Sequence, residues 1–249
     1  MIRLRIIVSC IVISCCGCST YRTYTSLDKA LDNPQAVQRL KIANKDLGSL
    51  PSEIGRLSHL KQLILTRVHI DSLPAEIGQL KELEYLSVTA SRLHKIPPEI
   101  GMLQKLTRLS LEYNQLDSLP RELGNLVYLQ ELKLSNNFIA SMPSSIGKLT
   151  NLEFLYLNEN RLVTLPDEIG NLDNLHFLFL GRNALEDLPA SLGKLSVLNE
   201  LDLAYCGAMV RIPESLCSLH NLEVLYIDNS LLVPGCLQTR MGHFQMIIR

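Results

Sequence analysis

The sequence has no tryptophan, and its rings are few: five phenylalanines and eight tyrosines. A core without large rings must be filled by branched aliphatics, and leucine fills that place here. Charge is nearly balanced, 24 basic against 25 acidic residues for a net of −1. With no basic stripe either, there is no electrostatic case for a nucleic-acid partner. Enzyme signatures are missing too: no glycine-rich phosphate loop, no nucleophile elbow, no His-Glu-x-x-His. His59, His69, His94, His176, His220 and His243 are scattered and form no cluster. No cysteine spacing resembles a zinc site. The expectation is a non-catalytic chain with no cofactor and no metal.

Long apolar runs are also lacking. The longest lies near the start, where Arg3 and Arg5 precede Ile6 to Ile13 and then Ser14, Cys15, Cys16, Gly17 and Cys18. That run is well short of the roughly 20 residues that span a bilayer, so a secretory signal fits better than a membrane helix. Val12-Ile13-Ser14-Cys15 resembles a bacterial lipoprotein lipobox, and Gly17-Cys18-Ser19-Thr20 resembles a second cleavage context. Cys15 ranks ahead of Cys18 as the acylated residue. On this reading residues 1–18 are leader and the protein is an envelope lipoprotein anchored in a membrane by several acyl chains. The alternative is a retained or misassigned start on a cytoplasmic protein. Cys206, Cys217 and Cys236 remain near the far end, where export would permit one disulfide and leave one thiol over. Their places in the pattern described next suggest that Cys206 and Cys217 are buried thiols.

What the chain does have is a phrase of 23 residues, clearest from Asn151 to Asp173: NLEFLYLNENRLVTLPDEIGNLD. Neither a period of 2.0 nor one of 3.6 fits its leucines. It reads as a short strand, a tight turn at Asn160 and a compact return from Pro166. Proline recurs at Pro51, Pro74, Pro97, Pro120, Pro143, Pro166, Pro189 and Pro213, in six steps of 23 and one of 24. Four residues after each comes glycine, from Gly55 to Gly193, and then Cys217. One such unit cannot bury its own apolar edge, so copies must stack.

The pattern LxxLxLxxNxLxxLPxxIGxL resembles the leucine-rich repeat family, over about Ala36 to Pro234, and most closely its short type with LPxxIGxL on the return. That type occurs in Ras-group scaffolds and in many bacterial repeat proteins. The resemblance implies an α/β fold: a right-handed, horseshoe-shaped solenoid with a parallel sheet on its concave face and short helices or turns on the convex face. Residues 19–35 are expected to be a tether and N-terminal cap, with one or two helical turns after Ser26. Residues 36–234 make about nine repeats, and 235–249 an irregular tail that either lids the last repeat or leaves a sticky end. Nine strands spaced about 4.8 Å apart give a sheet about 38 Å long, enough to receive a domain or a peptide.

Two columns of residues follow from this register. Asn114, Asn137, Asn160 and Asn183 stand at the turn, where their side chains can bond backbone groups of adjoining coils. Lys45 and Val68 interrupt that column at its start, so the first two repeats should be less regular. A second column, Glu53, Glu76, Glu99, Glu122 and Glu168, follows the prolines and reads as carboxylates facing the positive end of a helical turn rather than as a cation site.

The outward strand positions hold rings that the solenoid does not require: Tyr85, Phe154, Tyr156, Phe177, Phe179 and Tyr226, with Tyr113 and Tyr205 just beyond. Phe154, Tyr156, Phe177 and Phe179 should form a two-by-two block, with Arg182 on one side and Glu200 and Asp202 on the other. Exposed rings in a cluster mark an interaction site. Neighbouring rings also pack on each other for their own sake, at about 0.2–1 kcal/mol per pair. The expected activity is the holding of a protein or peptide on the concave face. An intracellular scaffold and a glycan-binding envelope element are the rival readings.

Overall fold

The computed structural model describes residues 21–239 and 244–249. Their strands are β1 (Thr23–Tyr24), β2 (Arg39–Ala43), β3 (Gln62–Thr66), β4 (Tyr85–Thr89), β5 (Arg108–Ser110), β6 (Glu131–Lys133), β7 (Phe154–Tyr156), β8 (Phe177–Phe179), β9 (Glu200–Asp202), β10 (Val224–Ile227) and β11 (Gln245–Ile248). They form one open parallel sheet in strict chain order, each strand paired with the next. Register advances by one repeat per strand, as in Leu132↔Leu155 and Leu155↔Leu178.

Every coil closes by the same physical route. The inward leucines, Leu63 to Leu201, are all but inaccessible to solvent. They stack into one continuous core, which is where burial stabilises the fold. Each return starts at a proline whose fixed φ, from −72° at Pro74 to −66° at Pro213, leads into a five-residue 3-10 turn. Glu53, Glu76, Glu99, Glu122 and Glu168 lie in the first turns of those segments. The glycines serve close packing rather than positive φ. A Cβ placed on Gly124 or Gly170 would run into the carbonyl oxygen of Ser145 or Ser191 in the next coil.

The chain turns out of each strand through a left-handed residue. Asn44, Arg67, Ala90, Tyr113, Asn136, Glu159, Arg182 and Tyr205 all have φ between 51° and 60°. Tight turns place the positive φ on the residue before the Asn column, so the turn read at Asn160 is centred on Glu159. Asn114 donates Nδ2 to the carbonyls of Val88 (2.7 Å) and Leu111 (2.9 Å) and accepts from the Leu93 N–H (3.3 Å). Asn183 donates in the same way to Leu157 (3.0 Å) and Leu180 (2.7 Å). In the first three repeats, which lack the asparagine, strand pairing is longer: β2, β3 and β4 run five residues, against three for β5 to β9. Ser91 partly replaces the amide, its Oγ accepting from the Val68 N–H (3.3 Å).

Both ends differ from the expectation. The tether reading of the segment before Ser26 is corrected at Thr23–Tyr24, which pairs with Arg39 and Leu40 as an added edge strand. Helix α1 (Leu27–Leu31) follows, burying Ala30 against the first coil. The far tail is not irregular either. Helix α2 (Gly235–Thr239) replaces the return turn, and β11 pairs with β10 over four residues, from Val224↔Gln245 to Ile227↔Ile248. Edge leucines are thereby covered at both ends, as a solenoid requires. Cys217 is not a buried thiol: it is joined to Cys236 of α2 in a disulfide with Cα atoms 6.0 Å apart. The glycine column admits cysteine here because α2, not another return turn, lies behind it. Cys206 is the free and buried one, and burial pushes its thiol up to about 12. The leader, with Cys15 and Cys18, lies outside the described residues.

Candidate functional site

Parallel register alone builds the ring block. Phe154 pairs with Phe177 and Tyr156 with Phe179 across β7 and β8. The strand spacing matches ring thickness plus contact, so the rings stack face to face: Phe154 on Phe177 at 4.9 Å and 7°, Tyr156 on Phe179 at 4.9 Å and 6°. All four residues are partly exposed, neither buried nor open to solvent. Burial raises the Tyr156 phenol, although the nearby Lys133 ammonium works against it.

Charged groups frame this block. On its N-terminal side Lys133 lies 5.3 Å above the Tyr156 ring and pairs with Glu131 at 2.8 Å. Burial pulls the Lys133 ammonium down, but the hydrogen bond and charge of Glu131 outweigh it and leave the group raised. Glu112, two residues past β5, is half-buried; burial pushes its carboxyl up, with Ser110 Oγ donating to it at 3.4 Å. On the C-terminal side Glu200 is paired in register with Phe177 and is likewise pushed up by burial, while the Tyr226 hydroxyl donates to it. Arg249 lies 3.8 Å from the Tyr226 ring.

Asp202 needs correcting. Its strand position faces outward, yet it is only 2% exposed. Its oxygens accept from the Ala204 N–H (3.0 Å), Asn158 Nδ2 (3.3 Å) and Arg249 Nη1 (2.9 Å). That carboxylate organises the end of the sheet and is not free for a partner. Asp228 behaves similarly, accepting from the N–H groups of Tyr205 and Ser230. Ordinary burial raises such a carboxyl, but these hydrogen bonds hold Asp228 below its usual range.

The remaining candidates spread along the face. Arg182 pairs loosely with Glu159 at 3.4 Å on the exposed rim. Tyr113 (60% exposed) and Tyr205 (51%) stand on left-handed turn residues, well out in solvent. Tyr85 is three strands from the block and carries Arg108 over its ring at 4.9 Å. Glu112 and Arg249 were not apparent from the sequence. Glu112 lies just past a strand end, and Arg249 sits in a tail with no repeat signature.

Elsewhere, a cleft of about 560 Å³ opens on the convex side between return turns, lined by Arg121, Glu122, Ser145, Lys148, Glu168 and others. It contains no ring. Among the described residues no group of three or more His, Cys, Asp and Glu is placed to hold a metal, and no helix is long and apolar enough to cross a membrane.

Comparison with known proteins places the sequence. A family model described as leucine-rich repeat region matches residues 41–115 and 98–183. No curated protein matches. Among solved structures, the leucine-rich repeat domain of the type III effector XopL is similar at 25% identity and a TM-score of 0.75, covering 88% of this chain and 79% of that one. The plant peptide hormone receptor RGFR1, solved in complex with RGF2, is similar at 24% identity and a TM-score of 0.70, covering 91% of this chain. An internalin from Listeria monocytogenes matches at 22% identity and a TM-score of 0.65, covering 90% of this chain and 70% of that one. This chain spans 46% of the RGFR1 chain.

Proposed function

Because the chain belongs to the leucine-rich repeat family, we propose that it is a non-catalytic recognition module holding a protein or peptide on its concave face. The observation that carries this reading is the pair of stacks, Phe154 on Phe177 and Tyr156 on Phe179, left partly exposed on the side of the sheet away from the core. Stacking across strands contributes about 0.2–1 kcal/mol per pair. Placing rings on a solvent face still costs solubility that a coil with polar residues there would not lose. RGFR1, a peptide hormone receptor of similar fold, was solved in complex with RGF2, which is consistent with a recognition role.

The module is exported and held at a membrane by acyl chains on Cys15 or Cys18. Support comes from the basic-apolar-cysteine order of the leader, and from the Cys217–Cys236 disulfide, which persists in oxidising compartments. Labelled fatty acid should enter the wild-type protein in its native host and be lost from the Cys15→Ser or the Cys18→Ser variant. Label absent from the wild type removes the anchor. Crosslinking in those cells, compared with Phe177→Ala/Phe179→Ala, tests the docking face.

A further inference from the structure

We infer that the ring block takes an extended protein segment through one basic side chain, a lysine or arginine, lodged against Phe177 and Glu200. This rests on the docking reading above and names the chemistry of the occupant.

Three observations converge on it. The first is how the sheet itself treats rings in this half. The Lys133 ammonium lies over Tyr156 with Glu131 as its carboxylate, and the Arg249 guanidinium lies over Tyr226 with Asp202 as its carboxylate. Each is a ring, a cation and an acid in adjoining strands. Phe177 with Glu200 repeats the ring and the acid in register, but among the described residues no lysine or arginine lies over that ring.

The second is charge. Glu131 and Asp202 are ion-paired, and Asp228 is occupied by backbone N–H groups. Among the described residues neither Glu112 nor Glu200 has an ion-pair partner within 4.0 Å. Burial raises both carboxyls, and it is only partly offset by Lys133 and Ser110 at Glu112 and by Tyr226 and Arg249 at Glu200. An incoming cation would supply what is missing.

The third is polarity along the face. The opposite end of the sheet carries Arg39, Lys41, Arg67 and Arg108. A segment with its basic residue at the ring block and its acidic residues toward β2 to β5 meets complementary charge at both ends, which also fixes its direction.

The test pans a random peptide library displayed on phage against the full chain and against variants. Selected peptides should be enriched in lysine or arginine beside apolar residues. A representative peptide should lose about tenfold in affinity on Glu200→Gln, a change equivalent to about 1.4 kcal/mol. Loss should be larger on Glu200→Lys, and binding should weaken as salt rises. Glutamine keeps an acceptor for the Tyr226 hydroxyl, and an unchanged melting curve certifies the fold. Peptides lost on Phe177→Ala/Phe179→Ala but without basic enrichment, or indifferent to Glu200→Gln, overturn the cation subsite and leave the docking face standing. Peptides indifferent to the ring variant, or none recovered, overturn both.

Discussion

Asn137 ties its own coil to the one before it: Nδ2 donates to the carbonyl of Leu111 and to that of Leu134, each at 2.9 Å. Its Oδ1 accepts from the Leu116 N–H at 3.1 Å. Replacing Asn137 with alanine orphans the buried Leu116 N–H and takes one of two donors from the carbonyls of Leu111 and Leu134, which keep Asn114 and Asn160. The expected cost is about 1–3 kcal/mol, the cost of one orphaned buried group. Asn44 is exposed and outside that column, so Asn44→Gly, which keeps its left-handed φ of 54°, should stay within about 0.5 kcal/mol. Thermal unfolding of the two variants checks the contrast.

Glycine at the return is a matter of room. Gly124→Ala forces a methyl into the Ser145 backbone, whereas Gly55→Ala meets mainly the movable Gln79 side chain. Overpacking of the first kind costs about 1–3 kcal/mol or more. The second should cost under about 1 kcal/mol, and urea midpoints would rank them.

Asp228 makes stability depend on pH at the C-terminal end. Its folded carboxyl is held below the ordinary range by N–H donors, so the charged form stabilises the fold. That contribution is fully present above about pH 4, the unfolded value, and is lost as pH falls through the lower folded one. Asp228→Asn should therefore be less stable than wild type at pH 7 by about 1–2 kcal/mol. The gap should narrow below pH 4, as melting curves across pH will show.

The Cys217–Cys236 bond closes a sequence separation of 19 residues and ties α2 to the last return turn. Cys236→Ser should lose about 3 kcal/mol, and its melting point should no longer respond to reductant. Cys206, buried with its thiol pushed up to about 12, should resist alkylation until the chain unfolds. Mass spectrometry of the labelled thiols distinguishes the two.

The repeat was legible because stacking imposes one residue type per column: leucine inside, proline at the return, glycine where backbones meet. Tyr113, Glu159 and Arg182 share a left-handed conformation but no chemistry, so that column left no trace in the sequence. The edge strands were missed for a related reason. Thr23–Tyr24 is too short and polar to read as a strand, and Gln245–Ile248 follows no repeat signature. Cys217 was misread because a glycine position implies a return turn in the next coil, and here α2 takes its place. In the candidate site, strand alternation placed the four rings side by side. Alternation could not reveal that Asp202 turns under the sheet end, since its partners Asn158 and Arg249 are 44 and 47 residues away.

The central claim is that Phe154, Tyr156, Phe177 and Phe179 serve a partner rather than the fold. Phe177→Ala/Phe179→Ala removes one ring from each stack and should lower stability by only about 0.4–2 kcal/mol, the sum of two cross-strand pairs. Crosslinking and mass spectrometry in native cells, run on wild type and this variant at matched abundance, measures the claim directly. The account predicts a partner captured by the wild type and lost from the folded variant. Undiminished capture of that partner by the variant contradicts it.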